Sequence, residues 1–308
     1  MIKQVAIIFI SFLSTLLTTD ANTLILVAGN SVHRWGDHEN LQICKLYKEL
    51  LKESLPDLNV EIVDSSKAQA LDLERPINAI IVVAEGENNH PFKDNPAILK
   101  DAYNKKINVG VVHYVLHFNE PKDYDYLDMT VGGHYEPYWS TNPTWRANFK
   151  LSKHEISRGV NPFSIEDEYY FNIRFNNRKD QKLIPIATAV PPDSTRMRKF
   201  GAHTGNPYIR VNKGKSEILL WAVKNPNGTR GFGYAGGHSI WAWANKDFRK
   251  LMLNAAAWIS NIDIPEGGLE SANINFDKIA SQIAKPHRGD QYEYEKKWRD
   301  FVKENSAK

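Results

Sequence analysis

The chain has 308 residues, 42% of them apolar and 24% charged, and its 39 Lys and Arg against 36 Asp and Glu give a net charge of +3. That composition belongs to a globular protein and excludes a disordered chain, collagen and a coiled coil. The charge balance is too slight for the concentrated basic surface of a nucleic-acid binder, so no nucleic-acid partner is expected.

Residues 1–21 are set apart as a signal peptide. Lys3 supplies the positive start, Val5 to Leu17 an apolar run, and Thr19 and Ala21 the small residues that a signal peptidase reads. The run is shorter than the roughly 20 apolar residues of a membrane span, and no cysteine follows it for lipid attachment. An exported protein, periplasmic or extracellular, is therefore expected, with no stable membrane span once the segment is removed. Lys3 and Asp20 cancel, so the mature chain keeps the same charge. The single cysteine, Cys44, can form no internal disulfide, and stability must come from the core.

Thr23 to Ala28 is a continuous apolar run ended by Gly29 and Asn30, which predicts a strand buried on both faces. After a polar loop, Leu41, Cys44, Tyr47 and Leu51 recur at helical spacing up to the break at Pro56. Val60 to Val63 and Ala79 to Ala84 are the next strands. Pro96 to Lys105 follows as a helix capped by Asn95, and Asn108 to Val112 as a further buried strand. This alternation predicts a doubly wound, mostly parallel sheet covered by helices. From His113 to about Phe149 the pattern gives way to a long aromatic-rich loop insertion, a length that in compact domains points to function. Strands are predicted again at Tyr169 to Phe175, Leu183 to Val190, Ile218 to Val223 and Gly231 to Tyr234, then a helix from Lys246 to Ser260. Phe276, Ile279 and Ile283 at helical spacing, then Trp298, Phe301 and Val302 in a charged end, predict a C-terminal helical extension. The expected organisation is an α/β domain over 22–268 followed by that extension over 269–308.

In a doubly wound sheet, sites form outside the carboxyl ends of the strands, where loops and helix N-termini converge. The rule selects His33 and His38 after the first strand, Glu85 and Glu87 after the third, and His113 directly after the fourth. An imidazole at the point where a buried strand breaks into a loop is partly desolvated, which suits acid-base work. His134 and His238 each follow a pair of glycines, which leave space for a ligand beside the ring. Asp167 and Glu168 add carboxylates just before a predicted strand. Gly231 to Gly236 formally spells G-x-G-x-x-G, but no helix opens after it and no acid stands about 20 residues on, so no nucleotide cofactor is expected. P-loop, G-x-S-x-G, H-E-x-x-H and C-x-x-C motifs are absent from the sequence. A divalent metal such as zinc, held by scattered His and Glu side chains, stays open.

Six blocks in order carry a resemblance to a known family. They are Ser31 to Asn40 (SVHRWGDHEN), Val109 to His113, Gly132 to His134, His154 to Gly159, Asp167 to Tyr170, and Gly231 to His238 with Phe248 to Trp258. Together they resemble the ThuA-like (trehalose-utilisation) family, from about Thr23 to Gly268. The resemblance implies a class I glutamine amidotransferase-like, flavodoxin-like fold and a link to carbohydrate metabolism. Amidotransferases of that superfamily place a cysteine at the turn where this chain has His113, and without a thiolate there is no glutaminyl thioester. No glutaminase activity is expected. The implied site has His113 at the old nucleophile position, His238 near the old catalytic histidine, and His38, His134 and Glu168 brought in by loops. A small carbohydrate is the expected ligand, with His33 and Glu39 beside it and Tyr135, Trp139 and Trp145 of the aromatic loop offering stacking faces. Two readings stay open: an enzyme acting on a sugar or keto-sugar, as isomerase, lyase or hydrolase, and a non-catalytic sugar-binding protein of the same fold. A homo-oligomer also stays open.

Overall fold

The computed structural model describes residues 22–30, 33–176, 178–283 and 291–306, and the expected signal segment lies outside them. The strands are β1 (Thr23–Ala28), β2 (Asn59–Asp64), β3 (Ala79–Val83), β4 (Asn108–Val112), β5 (Gly133–His134), β6 (Thr144–Asn148), β7 (Lys150–Leu151), β8 (Ser164–Glu168), β9 (Arg174–Phe175), β10 (Lys182–Ala189), β11 (Glu217–Lys224) and β12 (Arg230–Tyr234). The helices are α1 (Asn40–Ser54), α2 (Ile98–Asn104), α3 (Tyr124–Val131), α4 (Asp193–Arg196), α5 (Pro207–Val211), α6 (Lys246–Ile259), α7 (Phe276–Gln282) and α8 (Gln291–Ser306).

One sheet organises the molecule, in the order β2-β1-β3-β4-β12-β11-β10-β7. Its first five strands are parallel, and β11, β10 and β7 extend it antiparallel beyond β12. The parallel part has the 2-1-3-4-5 order of flavodoxin-like folds. β1, β3 and β4 are buried at every position, which is why they read as unbroken apolar runs rather than alternating ones. Helices α1 and α6 pack against each other on one side of the sheet, and α2 packs against α3 on the other. On α1 the buried face carries Ile43, Cys44, Tyr47 and Leu51. Leu41, expected on that face, is exposed instead. No helix among the described residues is long and apolar enough to cross a membrane.

The aromatic stretch after His113 carries elements of its own. Tyr124, Leu127, Asp128 and Val131 bury one side of α3, and Gly132 ends that helix in the left-handed region at φ 80°. The strand expected at Tyr169 to Phe175 is displaced: regular pairing covers β8 before it and only β9 at its end. Tyr169, Tyr170 and Phe171 are buried without a ladder, tied by single backbone bonds such as Tyr170 N–H to Ala235 O at 3.0 Å. Burial on every side gives such a segment the apolar look of a strand.

β1, β3, β4 and β12 are parallel and all finish at one edge, so the segments that follow them share that edge. After β12 the chain turns at Gly237, φ 107°, where a Cβ would press on Val112 at 2.8 Å. This turn aims His238 across the end of β4.

Candidate functional site

Four loops bring their histidines and carboxylates together at the carboxyl edge of the sheet. His38 Nε2 lies 2.9 Å from His238 Nδ1, and His238 Nδ1 lies 3.3 Å from His113 Nε2. Behind each ring stands an acceptor for its other nitrogen. His38 Nδ1 meets both oxygens of Glu85 at 3.0 and 3.1 Å. His238 Nε2 is 3.3 Å from Asp37 Oδ2, and His113 Nδ1 is 3.4 Å from the Ala235 carbonyl. A carboxylate or carbonyl oxygen can only accept, so these partners assign the outward N–H of each ring. Glu168 Oε1 faces the cluster from 3.7 Å to His113 Nε2 and 3.9 Å to His238 Nδ1. Tyr170 stacks on His113 with centroids 4.4 Å apart, and His33 stacks on His38 at 3.8 Å while its Nε2 reaches Glu85 at 3.2 Å.

Backbone links fix the loops that carry these groups. The His38 N–H donates to the His238 carbonyl at 2.7 Å, and Ser239 Oγ donates to Asp37. Asp167, fully enclosed, accepts from the N–H groups of Gly237, Ser239 and Glu168, which pins the His238 turn to the end of β8. The cluster opens on a polar cavity of about 800 Å3 whose wall includes His33, Asp37, Glu168 and His238, with Lys297 and Asp300 of α8 at its rim.

Burial dominates the electrostatics, and charge pairing decides its outcome. Desolvation pushes His113 well below the ordinary imidazole range and also lowers His38, so both are neutral. Desolvation acts on His238 the same way, but the hydrogen bond and charge of Asp37, with Glu168 and Asp167 behind it, outweigh it and raise His238 to about 9. His238 is thus the imidazolium of the three. Burial would raise Glu85, yet the hydrogen bonds from His33 and His38 hold it down to about 2. Burial raises Glu168, and it lifts Asp167 to about 7.

Comparison with known proteins fits this geometry into a family. The family model described as ThuA, trehalose utilisation, matches residues 25–259. The chain belongs to the ThuA family. Among solved structures, a ThuA-like protein of Bacteroides uniformis is 15% identical, with a TM-score of 0.52 over 78% of this chain and 91% of that one. At that identity the likeness shows the fold. A glutamine amidotransferase of Thermotoga maritima gives a TM-score of 0.42 at 9% identity, covering 77% of this chain and 97% of its own. No curated protein matches the sequence.

Within the ThuA fold, His38, His113, His238 and Glu168 are brought together and His134 is not. His134 Nδ1 is bound to Asp128 at 2.8 Å and its ring stacks on Tyr124. It sits nearer a second cluster, in which His117 Nδ1 and His203 Nε2 face Glu87 Oε1 at 3.3 and 3.4 Å. Tyr135, expected as a stacking face, is buried in that cluster with its hydroxyl 3.0 Å from His203 Nδ1. Trp145 is buried against Tyr169 and Phe171, and Trp139 lies between Arg174 and Tyr208. Neither tryptophan lines the cavity beside the histidines. Glu39 is buried as well, accepting from the Gly36 N–H at 3.0 Å as a brace of its own loop. Asp37 and Tyr170 join the site without having been singled out as site residues, although both lie in blocks that carry the family resemblance and Asp37 stands next to His38. His203 belongs to the second cluster.

Among the described residues, three sets of groups have ligand atoms close enough together to hold a metal ion: His38, His113 and His238; His33, His38 and Glu85; and Glu87, His117 and His203. The one cysteine is no substitute nucleophile, since Cys44 is buried on α1 and burial drives its thiol pKa upward.

Proposed function

We propose that this ThuA-family protein is an exported enzyme of carbohydrate metabolism that acts on a sugar or an oxidised keto-sugar by proton transfer. The observation that carries the reading is Glu168. Its carboxylate faces two imidazoles at 3.7 and 3.9 Å, and it also borders a cavity of about 800 Å3, a volume suited to a ligand of mono- or disaccharide size. A carbonyl in a sugar acidifies the neighbouring C–H. Glu168, made more basic by burial, takes that proton, and the positive charge held at the histidine cluster stabilises the oxygen that becomes negative. Returning the proton to the adjacent carbon isomerises the sugar, and expelling a β-substituent instead gives elimination. The polar lining of the cavity, with Arg34, Asp37 and Glu166 beside the histidines, supplies partners for sugar hydroxyls.

The test is solvent deuterium exchange at the carbon beside the carbonyl, followed by NMR with oxidised disaccharides and monosaccharides. Wild type exchanges or converts a keto-sugar, and Glu168→Gln slows this by ~100-fold or more while binding persists. Plain sugars that bind with no keto-sugar ever exchanging would establish a binding protein in place of an enzyme. Export rests on the charged start and apolar run before Asn22. N-terminal sequencing of protein from its host is expected to begin near Asn22, and an intact Met1 in cytosolic material would refute export.

A further inference from the structure

We propose that His38 Nε2, His113 Nε2 and His238 Nδ1 form a three-histidine site for one divalent metal ion of zinc type, with its fourth position open toward Glu168 and the cavity. This deepens the reading above by naming what carries the positive charge at the cluster.

Proton accounting leads to it. Each outward ring nitrogen faces an oxygen that can only accept: Glu85 for His38, Asp37 for His238, and the Ala235 carbonyl for His113. When each outward nitrogen holds its proton, all three inward nitrogens present lone pairs to one point. Lone pairs 2.9 and 3.3 Å apart repel unless a cation lies among them. One proton on one ring serves the 2.9 Å contact well and the 3.3 Å contact poorly. A metal ion serves all three.

The distances agree with that occupant. Tetrahedral zinc with bonds of about 2.0–2.1 Å to nitrogen sets neighbouring ligand atoms about 3.3–3.4 Å apart. The three nitrogens lie within 4.8 Å of one another, so small side-chain rotations close the triangle. Their outer partners match what metal-binding histidines have elsewhere, a carboxylate or carbonyl on the second ring nitrogen that fixes the tautomer. Asp37 and Glu85 also bring two negative charges to offset a divalent cation. Glu168, at 3.7 and 3.9 Å from two of the ligands, is too far to hydrogen-bond to them. It leaves room for a water or a substrate oxygen, the open position of a catalytic rather than a structural site.

The competing groups lack this feature. In His33, His38 and Glu85 both imidazoles face a carboxylate, so each can carry its proton toward an acceptor. His117 Nδ1 and His203 Nε2 face one oxygen of Glu87 at 3.3 and 3.4 Å, and the buried His117 nitrogen makes no hydrogen bond there. Each of these sets contains a carboxylate and two imidazoles, so neither brings three ring lone pairs to one point as His38, His113 and His238 do.

The full-length mature protein, untagged and stripped with a chelator, is titrated with cobalt(II) and with zinc(II). One equivalent of cobalt is expected to bind and give the visible absorption of a tetrahedral nitrogen-rich site. Saturating zinc should raise Tm by about 5 °C or more. His38→Gln and His113→Gln should each weaken metal binding by ~100-fold or more and abolish that absorption, with circular dichroism confirming the fold. His203→Gln should leave stoichiometry and spectrum unchanged. If both cluster variants misfold, zinc X-ray absorption of wild type decides, and it must show three imidazoles. Absence of uptake by wild type, uptake that survives His113→Gln in folded protein, loss of the metal in His203→Gln, or fewer than three imidazoles on zinc would each overturn the site. None of these readouts uses a sugar, so the metal site and the keto-sugar reading fail independently.

Discussion

His38, Glu87, His113 and His203 hold φ values of 52°, 49°, 59° and 62°, a left-handed backbone that side-chain-bearing residues rarely adopt. Each costs on the order of 1 kcal/mol or more, so surrounding structure must enforce it, and all four belong to the two histidine clusters. Strand ends made His38 and His113 legible in the sequence, because parallel strands release their loops at a common edge. The Gly-Gly pair before His238 pointed to the turn that aims it. The same pair before His134 misled, since a local carboxylate six residues upstream, Asp128, captures that ring. Spacing also could not say which loop carboxylate would reach which imidazole, and the roles of Asp37 and Glu85 become visible only once their loops are folded together. Cys44 shows where helical spacing does suffice. It is fully buried on α1, with its thiol directed at the Val27 carbonyl. Replacing it with Ala leaves at most a small cavity, so Cys44→Ala is expected to cost on the order of 1 kcal/mol in urea unfolding and to leave activity intact. Loss of activity in folded Cys44→Ala protein would contradict a purely structural thiol.

At the scale of elements, sequence patterns succeeded wherever one face or both faces of a segment are buried in a regular way. β1, β3 and β4 were read from unbroken apolar runs, and α6 as a helix from Lys246 to Ser260. Asn245 Oδ1 accepts from the N–H groups of both Asp247 and Phe248, which fixes the first turn of α6 directly after the segment bearing His238. Removing it leaves donors of that turn without their acceptor, so Asn245→Ala is expected to lower stability by about 1 kcal/mol in thermal or urea unfolding. A value near zero would mean that water or another acceptor replaces the cap. Patterns failed where burial came from several directions at once. Tyr169, Tyr170 and Phe171 bond in turn to Pro143, Ala235 and Thr141 rather than to one strand, and α3 does not stand out because it lies within the aromatic-rich stretch, with Tyr124 and Tyr126 in its first turn. Its period and the Gly132 stop were nonetheless present in the sequence.

For the whole molecule, β-α alternation specified the parallel part of the sheet, whereas the antiparallel extension combines a local β11–β12 hairpin, closed at Lys224 and Arg230, with the pairings of β10 and β7 across longer stretches of chain. α8 docks through Trp298, whose ring meets Trp35 and Trp241 at 6.2 and 4.8 Å, bringing the far end of the sequence to the rim of the cavity. The buried histidines give the metal-free protein a stability that depends on pH in opposite senses on the two sides of about pH 6.5, the unfolded imidazole value. His90 is fully enclosed; its Nε2 donates to the Val115 carbonyl and its Nδ1 accepts from the Phe92 N–H. Desolvation holds it, and likewise His117, down at about 3. Between pH 6.5 and 3 the unfolded chain therefore binds protons that these folded rings refuse, and acid favours unfolding by about 1.4 kcal/mol per pH unit for each ring. His113, also lowered by burial, adds to the loss, while Asp167, raised to about 7, opposes it until it too is protonated in the unfolded chain near pH 4. His238 works on the alkaline side: raised to about 9, it contributes stability that is complete below pH 6.5 and lost as pH rises through 9. Thermal unfolding of chelator-treated protein is expected to show maximal Tm near pH 6.5. His90→Gln keeps a donor and an acceptor in place of the ring and removes the titration, so its acid limb should be shallower by about 1.4 kcal/mol per pH unit. An acid limb of unchanged slope in His90→Gln would mean that His90 takes up its proton in the folded protein, through an opening of the Phe92 and Phe118 packing that encloses it.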